Sequence, residues 1–184
     1  MLLVVAATAF EAALVDGGNA VVAVCGIGPV EAALATAAAI DEHGPHAVLQ
    51  VGIAGAQTLA PGSVALGSEA VYCDVLDPNA RIARIERVPA DPALLERARH
   101  VVPTAQVLPI GTSARVGGGA VCEVEAMEGF GVLRAAALAG VPALEVRAIS
   151  NRVADTDRSL WRIEEALDAL RAILPPLVEE LGRA

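Results

Sequence analysis

A glutamate and an asparagine in two short motifs of this chain could together bind a sugar and a heterocyclic base. Glu128 lies in Ala126-Met127-Glu128-Gly129, which opens an alanine-rich helical run, and Asn151 ends the segment Arg147-Ala148-Ile149-Ser150-Asn151. A carboxylate accepts hydrogen bonds from sugar hydroxyls, while an amide both donates and accepts at the edge of a purine ring. The pair therefore predicts a nucleoside-like ligand.

The element that positions Asn151 is a predicted buried strand. Residues 143–149 form a short apolar run with Val and Ile, entered from Pro142 and left through polar Ser150 and Asn151. In open α/β sheets, ligands bind beyond the carboxyl ends of the strands. We therefore expect chemistry where this strand runs out into a loop.

The whole chain alternates short apolar runs with alanine-rich helical patterns. Strands are predicted at 2–6, 21–25, 47–51, 63–66, 69–75, 106–110 and 143–149, and helices at 30–42, 92–100, 127–139 and 160–181. This order predicts an α/β protein in which helices cover both faces of a central mixed β-sheet, a three-layer α/β/α arrangement. The 184 residues fit a single domain, 1–184.

Two local signals modify this scheme. Asp16-Gly17-Gly18-Asn19, between the first two strands, predicts a hairpin or tight loop. Pro175-Pro176 predicts a kink or restart in the last helix, because proline removes a hydrogen-bond donor and clashes with the preceding turn.

Composition excludes several classes of function. The formal net charge of −9 argues against nucleic-acid or acidic-membrane binding. Lysine is absent, which removes Schiff-base catalysis, phosphate-loop NTPases and Ser-Lys nucleophile pairs. No apolar run reaches the roughly 18 residues of a spanning helix, and the N-terminal run is predicted to be a strand rather than a signal peptide. Three scattered cysteines predict a cytoplasmic protein without a metal site.

Two glycine motifs each allow a functional and a structural interpretation. Gly26-Ile27-Gly28 resembles part of a dinucleotide fingerprint, but Glu31 stands at the third glycine position, where its charge would repel a pyrophosphate. A turn that lets the backbone approach a ligand or another segment is favoured. In Val51-Gly52-Ile53-Ala54-Gly55 the glycines could approach a sugar or simply pack.

The candidate polar residues have structural alternatives too. Glu11 follows the first strand and could act as a general base holding water, or simply begin a helix, where the macrodipole favours it. Glu128 could form an acidic surface with its neighbours Glu123 and Glu125. Asn151 could cap a turn, and Trp161 could belong to the core or an interface. None of these residues decides the function alone.

The order of these motifs resembles the purine nucleoside phosphorylase and hydrolase superfamily across essentially the whole chain. Within it, the chain is similar to the methylthioadenosine/S-adenosylhomocysteine nucleosidases and, more closely, to the futalosine hydrolases. The closer similarity lies in Met127-Glu128-Gly129, in Ile149-Ser150-Asn151-Arg152-Val153 and in Trp161. The resemblance implies a nucleoside phosphorylase-type fold and cleavage of an N-glycosidic bond.

The resemblance also implies roles for single residues. Glu128 would accept hydrogen bonds from the ribose, against the apolar surface of Met127, and Glu11 would position and deprotonate the attacking water. The adenine-specific relatives carry Asp where this chain has Asn151. An amide suits the acceptor edge of a 6-oxopurine, so hypoxanthine is expected as the leaving group and futalosine as the substrate. Gln50 stands where hexameric phosphorylases carry Arg, which favours water over phosphate.

The remaining expectations concern the rest of the pocket and the assembly. Gly55 lies in the second glycine motif. Phe10, Phe130, Trp161 or a residue of a second subunit could stack on the purine in place of the relatives' aromatic residue, and Arg152 or Arg158 could bind the benzoate of futalosine. No cofactor or metal is expected. The protein is expected to form a homodimer or a higher homo-oligomer. The alternatives are a nucleosidase releasing adenine, a phosphate-dependent phosphorylase, and a non-catalytic nucleoside-binding protein of the same fold.

Overall fold

A mixed eight-stranded β-sheet forms the centre of the protein. The computed structural model describes residues 1–15, 18, 20–75, 79, 84–117, 121–155 and 157–183. The strands are β1 (Leu2–Ala6), β2 (Ala20–Val24), β3 (Ala47–Ala56), β4 (Val64–Tyr72), β5 (Arg87–Pro89), β6 (Gln106–Thr112), β7 (Val124–Ala126) and β8 (Ala143–Arg152). The helices are α1 (Ala9–Ala12), α2 (Pro29–His43), α3 (Pro92–Val101), α4 (Gly129–Ala139) and α5 (Ile163–Leu181), with a short 3-10 turn at Arg158–Leu160.

Part of this sheet closes on itself. The strand order is β2-β1-β3-β7-β6-β4-β5, and β8 pairs with both β3 and β4. The strands β3, β7, β6, β4 and β8 therefore form a ring. Outside this ring, β1 pairs in parallel with β3, and β2 pairs in parallel with β1. These two strands continue the sheet as an open parallel part. The predicted mixed sheet is confirmed.

Helices cover both faces of the sheet, which gives the predicted three layers. On one face, α3 and α5 pack against β3, β4 and β8 through a core of Leu, Val and Ala side chains. On the other face, α2 packs on α4, and both contact the sheet. A third, smaller core of Ala, Val and Ile lies within the ring. The parallel strands β1, β3 and β8 are buried along nearly all their length, so they read as largely apolar runs in the sequence.

Three local predictions were wrong in part. The first two strands pair in parallel, so no hairpin joins them, although residues 16, 17 and 19 of the predicted loop lie outside the described residues. The two strands expected at 63–66 and 69–75 are one strand, β4. The helix α5 includes Pro175 and Pro176 without a restart, because buried leucines on both sides of them hold it against the sheet.

The short strands β5 and β7 were not predicted. Each has only three residues and depends on pairing with a longer neighbour, β4 for β5 and both β3 and β6 for β7. Within the described ranges, no helix combines the length and the apolar character that a membrane crossing needs.

We expect Thr36→Val to stabilise the protein. Thr36 lies in α2, fully buried, and its hydroxyl has no hydrogen-bond partner among the described residues. Valine has the same shape without the hydroxyl, so the free energy of unfolding should rise by about 1 kcal/mol in a chemical denaturation experiment. Thr36→Ala is the matched control and should be less stable than Thr36→Val, because it leaves a cavity. A lower stability for the valine variant would mean that the hydroxyl is satisfied.

Candidate active site

The predicted site residues collect at one edge of the sheet. The strands β1, β3 and β8 run parallel, so their carboxyl ends meet. Glu11 follows β1, while Gly52 pairs with Arg147 and Gly55 with Asn151. Glu128 reaches the same edge from β7, which runs antiparallel to β3. This is the edge at which α/β proteins bind ligands.

Glu11 has both a structural and a potentially functional position. Its Oε2 accepts hydrogen bonds from the backbone N–H of Thr8 (3.0 Å) and from the Thr8 hydroxyl (2.8 Å), which forms a capping box at the start of α1. Its Oε1 accepts from the backbone N–H of Ile53 (3.0 Å). The helix-start interpretation is thus confirmed, but the second oxygen also places the buried carboxylate at the glycine-rich end of β3.

Glu128 is buried between two donors. Its side chain lies just before α4, where Oε1 accepts from the backbone N–H of Gly28 (3.2 Å) and Oε2 from Nη2 of Arg147 (3.1 Å). The first bond gives the Gly26-Ile27-Gly28 turn a role: it brings the N–H group at the start of α2 to this carboxylate. The acidic-surface alternative is wrong, because Glu125 is buried as well.

Arg147 is bonded to the Glu128 carboxylate and lies near that of Glu11, and sequence reasoning assigned it no role. It is only 1% exposed. Nε donates to Oε1 of Glu145 (2.8 Å), Nη2 to Glu128, and Nη1 to the backbone carbonyl of Ile53 (3.3 Å). Burial alone lowers the pKa of Arg147, but the surrounding carboxylates of Glu145, Glu128 and Glu11 outweigh this and raise it above its ordinary value. The guanidinium is therefore a fixed positive charge in the site.

Gly52 provides the space for this arrangement. A side chain at this position would overlap Nη1 of Arg147, and its Cβ would lie 2.9 Å from Oε1 of Glu11. The space beside Gly52 is therefore filled by protein side chains, as the packing interpretation of this motif predicted. The motif is not a turn, however, since β3 continues through it to Ala56.

A second group of predicted residues surrounds Asn151. A Cβ on Gly55 would lie 3.1 Å from Nδ2 of Asn151, so the two residues are in contact. The hydroxyl of Ser150 donates to Oδ1 of Asn151 (2.8 Å), and Nδ2 donates to the backbone carbonyl of Arg152 (2.9 Å). An amide nitrogen carries two hydrogens, so Nδ2 keeps one that a ligand acceptor could use. Asn151 lies one residue before the end of β8 rather than in a loop.

The two groups are neighbours along the sheet edge without a direct bond. In the described part of the chain, no hydrogen bond connects Asn151 to Glu11 or Glu128. Gly52 and Gly55 mark their positions on β3, and three residues of strand span about 10 Å.

The other predicted site residues make separate contacts with the surrounding protein. Phe130 is half-buried and stacks on Tyr72 with ring centroids 5.0 Å apart, while Met127 is also half-buried. Arg152 is exposed and donates to the backbone carbonyl of Gln57 (3.3 Å). Trp161 donates through Nε1 to the carbonyl of Asp155 (3.0 Å), and the guanidinium of Arg158 lies 5.4 Å from its ring centre.

The segment after the 3-10 turn packs back onto β8, since the N–H of Arg162 donates to the carbonyl of Ser150 (2.7 Å). This bond places Trp161 close to the Asn151 end of the site. The structure thus brings Glu11 and Glu128 together, and Gly55 with Asn151. It directs the polar groups of Arg152 and Trp161 to backbone carbonyls.

Thiol and metal chemistry find no support among the described residues at this edge. Burial and, after it, the negative charge of Glu128 raise the pKa of the Cys25 thiol to about 11, so this neighbouring thiol is not an activated nucleophile. Among the described residues, no group of three His, Cys, Asp or Glu side chains could hold a metal ion.

The three-layer fold and the buried carboxylate–guanidinium cluster at the strand ends define a class: an α/β protein of nucleoside phosphorylase type. The sequence profile of the Phosphorylase superfamily matches residues 4–179. The chain belongs to this superfamily, and the predicted resemblance is confirmed.

Relatives of known function narrow the similarity. The chain is 67% identical over 46 residues to a futalosine hydrolase of Streptomyces coelicolor, a match over 25% of this chain and 20% of that protein. It is 33% identical to a futalosine hydrolase of Thermus thermophilus over 85% of this chain and 80% of that protein. It is also 34% identical to a 5′-methylthioadenosine/S-adenosylhomocysteine nucleosidase of Shewanella baltica, over 68% of this chain and 50% of that protein.

A solved structure agrees with the fold. The futalosine hydrolase of Helicobacter pylori superposes with a TM-score of 0.87 at 18% identity, covering 97% of both chains. The sequence matches cover only a fifth of the Streptomyces protein and half of the Shewanella protein.

Proposed function

We propose that the protein is an N-glycosyl hydrolase that cleaves a 6-oxopurine nucleoside. The substrate that chemistry and similarity favour is futalosine, split into hypoxanthine and dehypoxanthine futalosine in menaquinone biosynthesis. The observation that carries the proposal is the buried cluster of Glu11, Arg147 and Glu128 at the strand ends, within a nucleosidase-like fold. The similarity to two futalosine hydrolases supports the choice of substrate.

The cluster suits the chemistry of glycosidic cleavage. Water attacks C1′ of the ribose and gives up a proton to Glu11, while the C1′–N9 bond breaks and its electron pair goes to the purine. The purine takes up a proton from solvent to become neutral hypoxanthine, and Glu11 returns its proton to solvent. The sugar passes through an oxocarbenium-like state, whose positive charge the buried carboxylates stabilise. Glu128 accepts from the ribose hydroxyls, and the hydrogen bond from Nη2 of Arg147 holds that carboxylate in its orientation.

Asn151 is the residue that we assign to the departing base. Its carbonyl oxygen is occupied by Ser150, which leaves an N–H of the amide to donate to N7 or O6 of a 6-oxopurine. An adenine presents an amino group at that edge instead. The mismatch costs roughly 1–3 kcal/mol at a buried site, enough to favour hypoxanthine release.

Water rather than phosphate is the proposed nucleophile. Gln50, at the position of the phosphorylase arginine, is fully buried and carries no charge. A neutral amide lacks the guanidinium fork that anchors phosphate. The methylthioadenosine/S-adenosylhomocysteine nucleosidase reaction remains the second candidate, supported by the Shewanella relative.

The reaction is tested by incubating the purified protein with futalosine, inosine and methylthioadenosine, with and without phosphate. The released base is then identified by chromatography. We expect hypoxanthine from futalosine at a rate independent of phosphate. Adenine release alone would favour the second candidate, a strict need for phosphate would make the protein a phosphorylase, and tight binding without base release would indicate a nucleoside sensor.

We expect Asn151→Asp to shift the preference from 6-oxo to 6-amino purine nucleosides. A protonated carboxyl can serve adenine, whereas the amide serves hypoxanthine, so the ratio of hypoxanthine to adenine release should fall at least about tenfold. The measurement is kcat/KM on inosine and on adenosine. Ser150→Ala is the control, since it removes the hydroxyl that holds the amide but keeps the amide itself. An unchanged ratio in Asn151→Asp would remove this residue from base recognition.

The assembly and location are further parts of the proposal. We propose that residues 1–184 form one domain, because all three apolar clusters pack against one sheet. We also propose a homodimer. The exposed apolar side chains of Val30 and Leu34 lie four residues apart on α2, exposed Ile27 lies just before the helix, and together they offer a surface for a second copy. A cytoplasmic location fits three free cysteines.

A further inference from the structure

Glu145 is a charged residue in the middle of an apolar strand. It lies in β8 two residues before Arg147, so both side chains point to the same face, towards the layer of α2 and α4. Its side chain is fully buried, and its Oε1 accepts the hydrogen bond from Nε of Arg147 at 2.8 Å. Glu145 does not lie at the strand end, and no step of the proposed reaction uses it.

Two glycines make room for this side chain. A Cβ on Gly67 in β4 would lie 3.3 Å from the Cβ of Glu145. A Cβ on Gly129, at the start of α4, would overlap the Glu145 carboxyl group. Gly129 directly follows Glu128 in the sequence. The glycine of the Met127-Glu128-Gly129 motif is therefore explained by Glu145, which lies beneath it.

Burying the Glu145 carboxyl group lowers the stability of the fold if the side chain serves packing alone. Its Oε2 has no hydrogen-bond partner among the described residues, and neither amide atom of its neighbour Gln50 on β3 has one. Burial raises the pKa of the Glu145 carboxyl, although the charge of Arg147 opposes this. Apolar residues can replace buried ion pairs without loss of stability, so stability does not account for Glu145.

The geometry of Arg147 indicates what Glu145 contributes. The guanidinium is held at all three nitrogens: Nε by Glu145, Nη1 by the carbonyl of Ile53 and Nη2 by Glu128. Of these three partners, Glu145 alone neither lies at the strand ends nor is assigned to the substrate. It can therefore fix the plane of the guanidinium whether or not a ligand is bound.

We propose that Glu145 is a positioning residue that, in the space left by Gly67 and Gly129, fixes the guanidinium of Arg147 and through it orients Glu128 towards the ribose. The proposal rests on the proposed nucleosidase function for its catalytic consequence. Its structural part, that Glu145 immobilises Arg147, does not.

The structural part is tested by NMR of the side-chain Nε–H group of Arg147, assigned by its absence in Arg147→Gln. In the wild type this proton is buried and bonded, so its signal should persist at neutral pH. It should be lost in Glu145→Leu and retained in Glu145→Gln, which keeps an acceptor oxygen. Persistence in the leucine variant would overturn the proposal. If Glu145→Leu does not fold, Gly129→Ala displaces the carboxyl group instead and should give the same loss.

The catalytic part is tested by kinetics on futalosine with the same variants. Misplacing Glu128 should lower kcat/KM about a hundredfold in Glu145→Leu, and Glu145→Gln should recover to within about tenfold of the wild type. Thr36→Val is the control in the same layer and should leave both the signal and the rate unchanged. Loss of the signal with an unchanged rate would also overturn the proposal. A wild type with an intact signal but no base release would contradict the proposed function and leave the immobilisation of Arg147 standing.

Discussion

Replacing Glu128 by glutamine is expected to lower kcat/KM for futalosine by about a thousandfold, or about 4 kcal/mol of transition-state stabilisation. The carboxylate is buried and bonded to Gly28 and Arg147, and the proposed reaction assigns it to the ribose. Its charge counts most as the sugar becomes positive, and glutamine keeps the shape but loses that charge. The measurement is steady-state base release by the purified variant.

Two control experiments separate a loss of catalysis from a loss of folding. Thermal unfolding should show that the Glu128→Gln variant folds, since glutamine still offers an oxygen to the N–H of Gly28. Glu31→Gln is the matched control: the same change at an exposed glutamate on α2, which should leave the rate unaltered. Near-normal turnover of Glu128→Gln would reassign the carboxylate to a structural ion pair with Arg147.

The sequence contained enough to predict the layers and most of the long elements. Parallel strands buried on both faces and alanine-rich helices leave clear patterns, and β1, β3, β8, α2, α3 and α4 lie close to where the patterns place them. Which strands pair with each other leaves no such pattern in the sequence. Whether β2 runs parallel to β1, and whether β7 exists at all, depends on strands that are distant in sequence.

Sequence reasoning predicted single residues of the site, but not the hydrogen bonds that connect them. Glu11 and Glu128 were identified by their place in the motif order, whereas Arg147, which is bonded to Glu128 and lies near Glu11, was noticed only as part of a motif. A signal for it was present. Glu145 and Arg147 are oppositely charged, two residues apart on one face of an otherwise apolar strand, and such a pair must be matched by buried partners. Which partners those are is decided by register and by the approach of α4.

Replacing Glu11 by glutamine is expected to lower kcat about a thousandfold with little change in KM, because a general base contributes about 10²–10⁴ to the rate and acts after binding. The carboxylate lies beside Arg147 and at the N–H of Ile53, at the sugar end of the site. Glutamine can still accept hydrogen bonds but cannot take a proton from water. The measurement is the rate of base release at saturating futalosine.

The capping box provides the control that separates chemistry from helix formation. Thr8→Ala removes the other half of the box and should cost about 1 kcal/mol of stability, while the Glu11 carboxylate stays in place through its bond to Ile53. Its rate should therefore remain far above that of Glu11→Gln. Equal losses in the two variants would mean that Glu11 serves only to begin α1, and the base that activates water would then have to be sought among the other carboxylates of the cluster, Glu128 first.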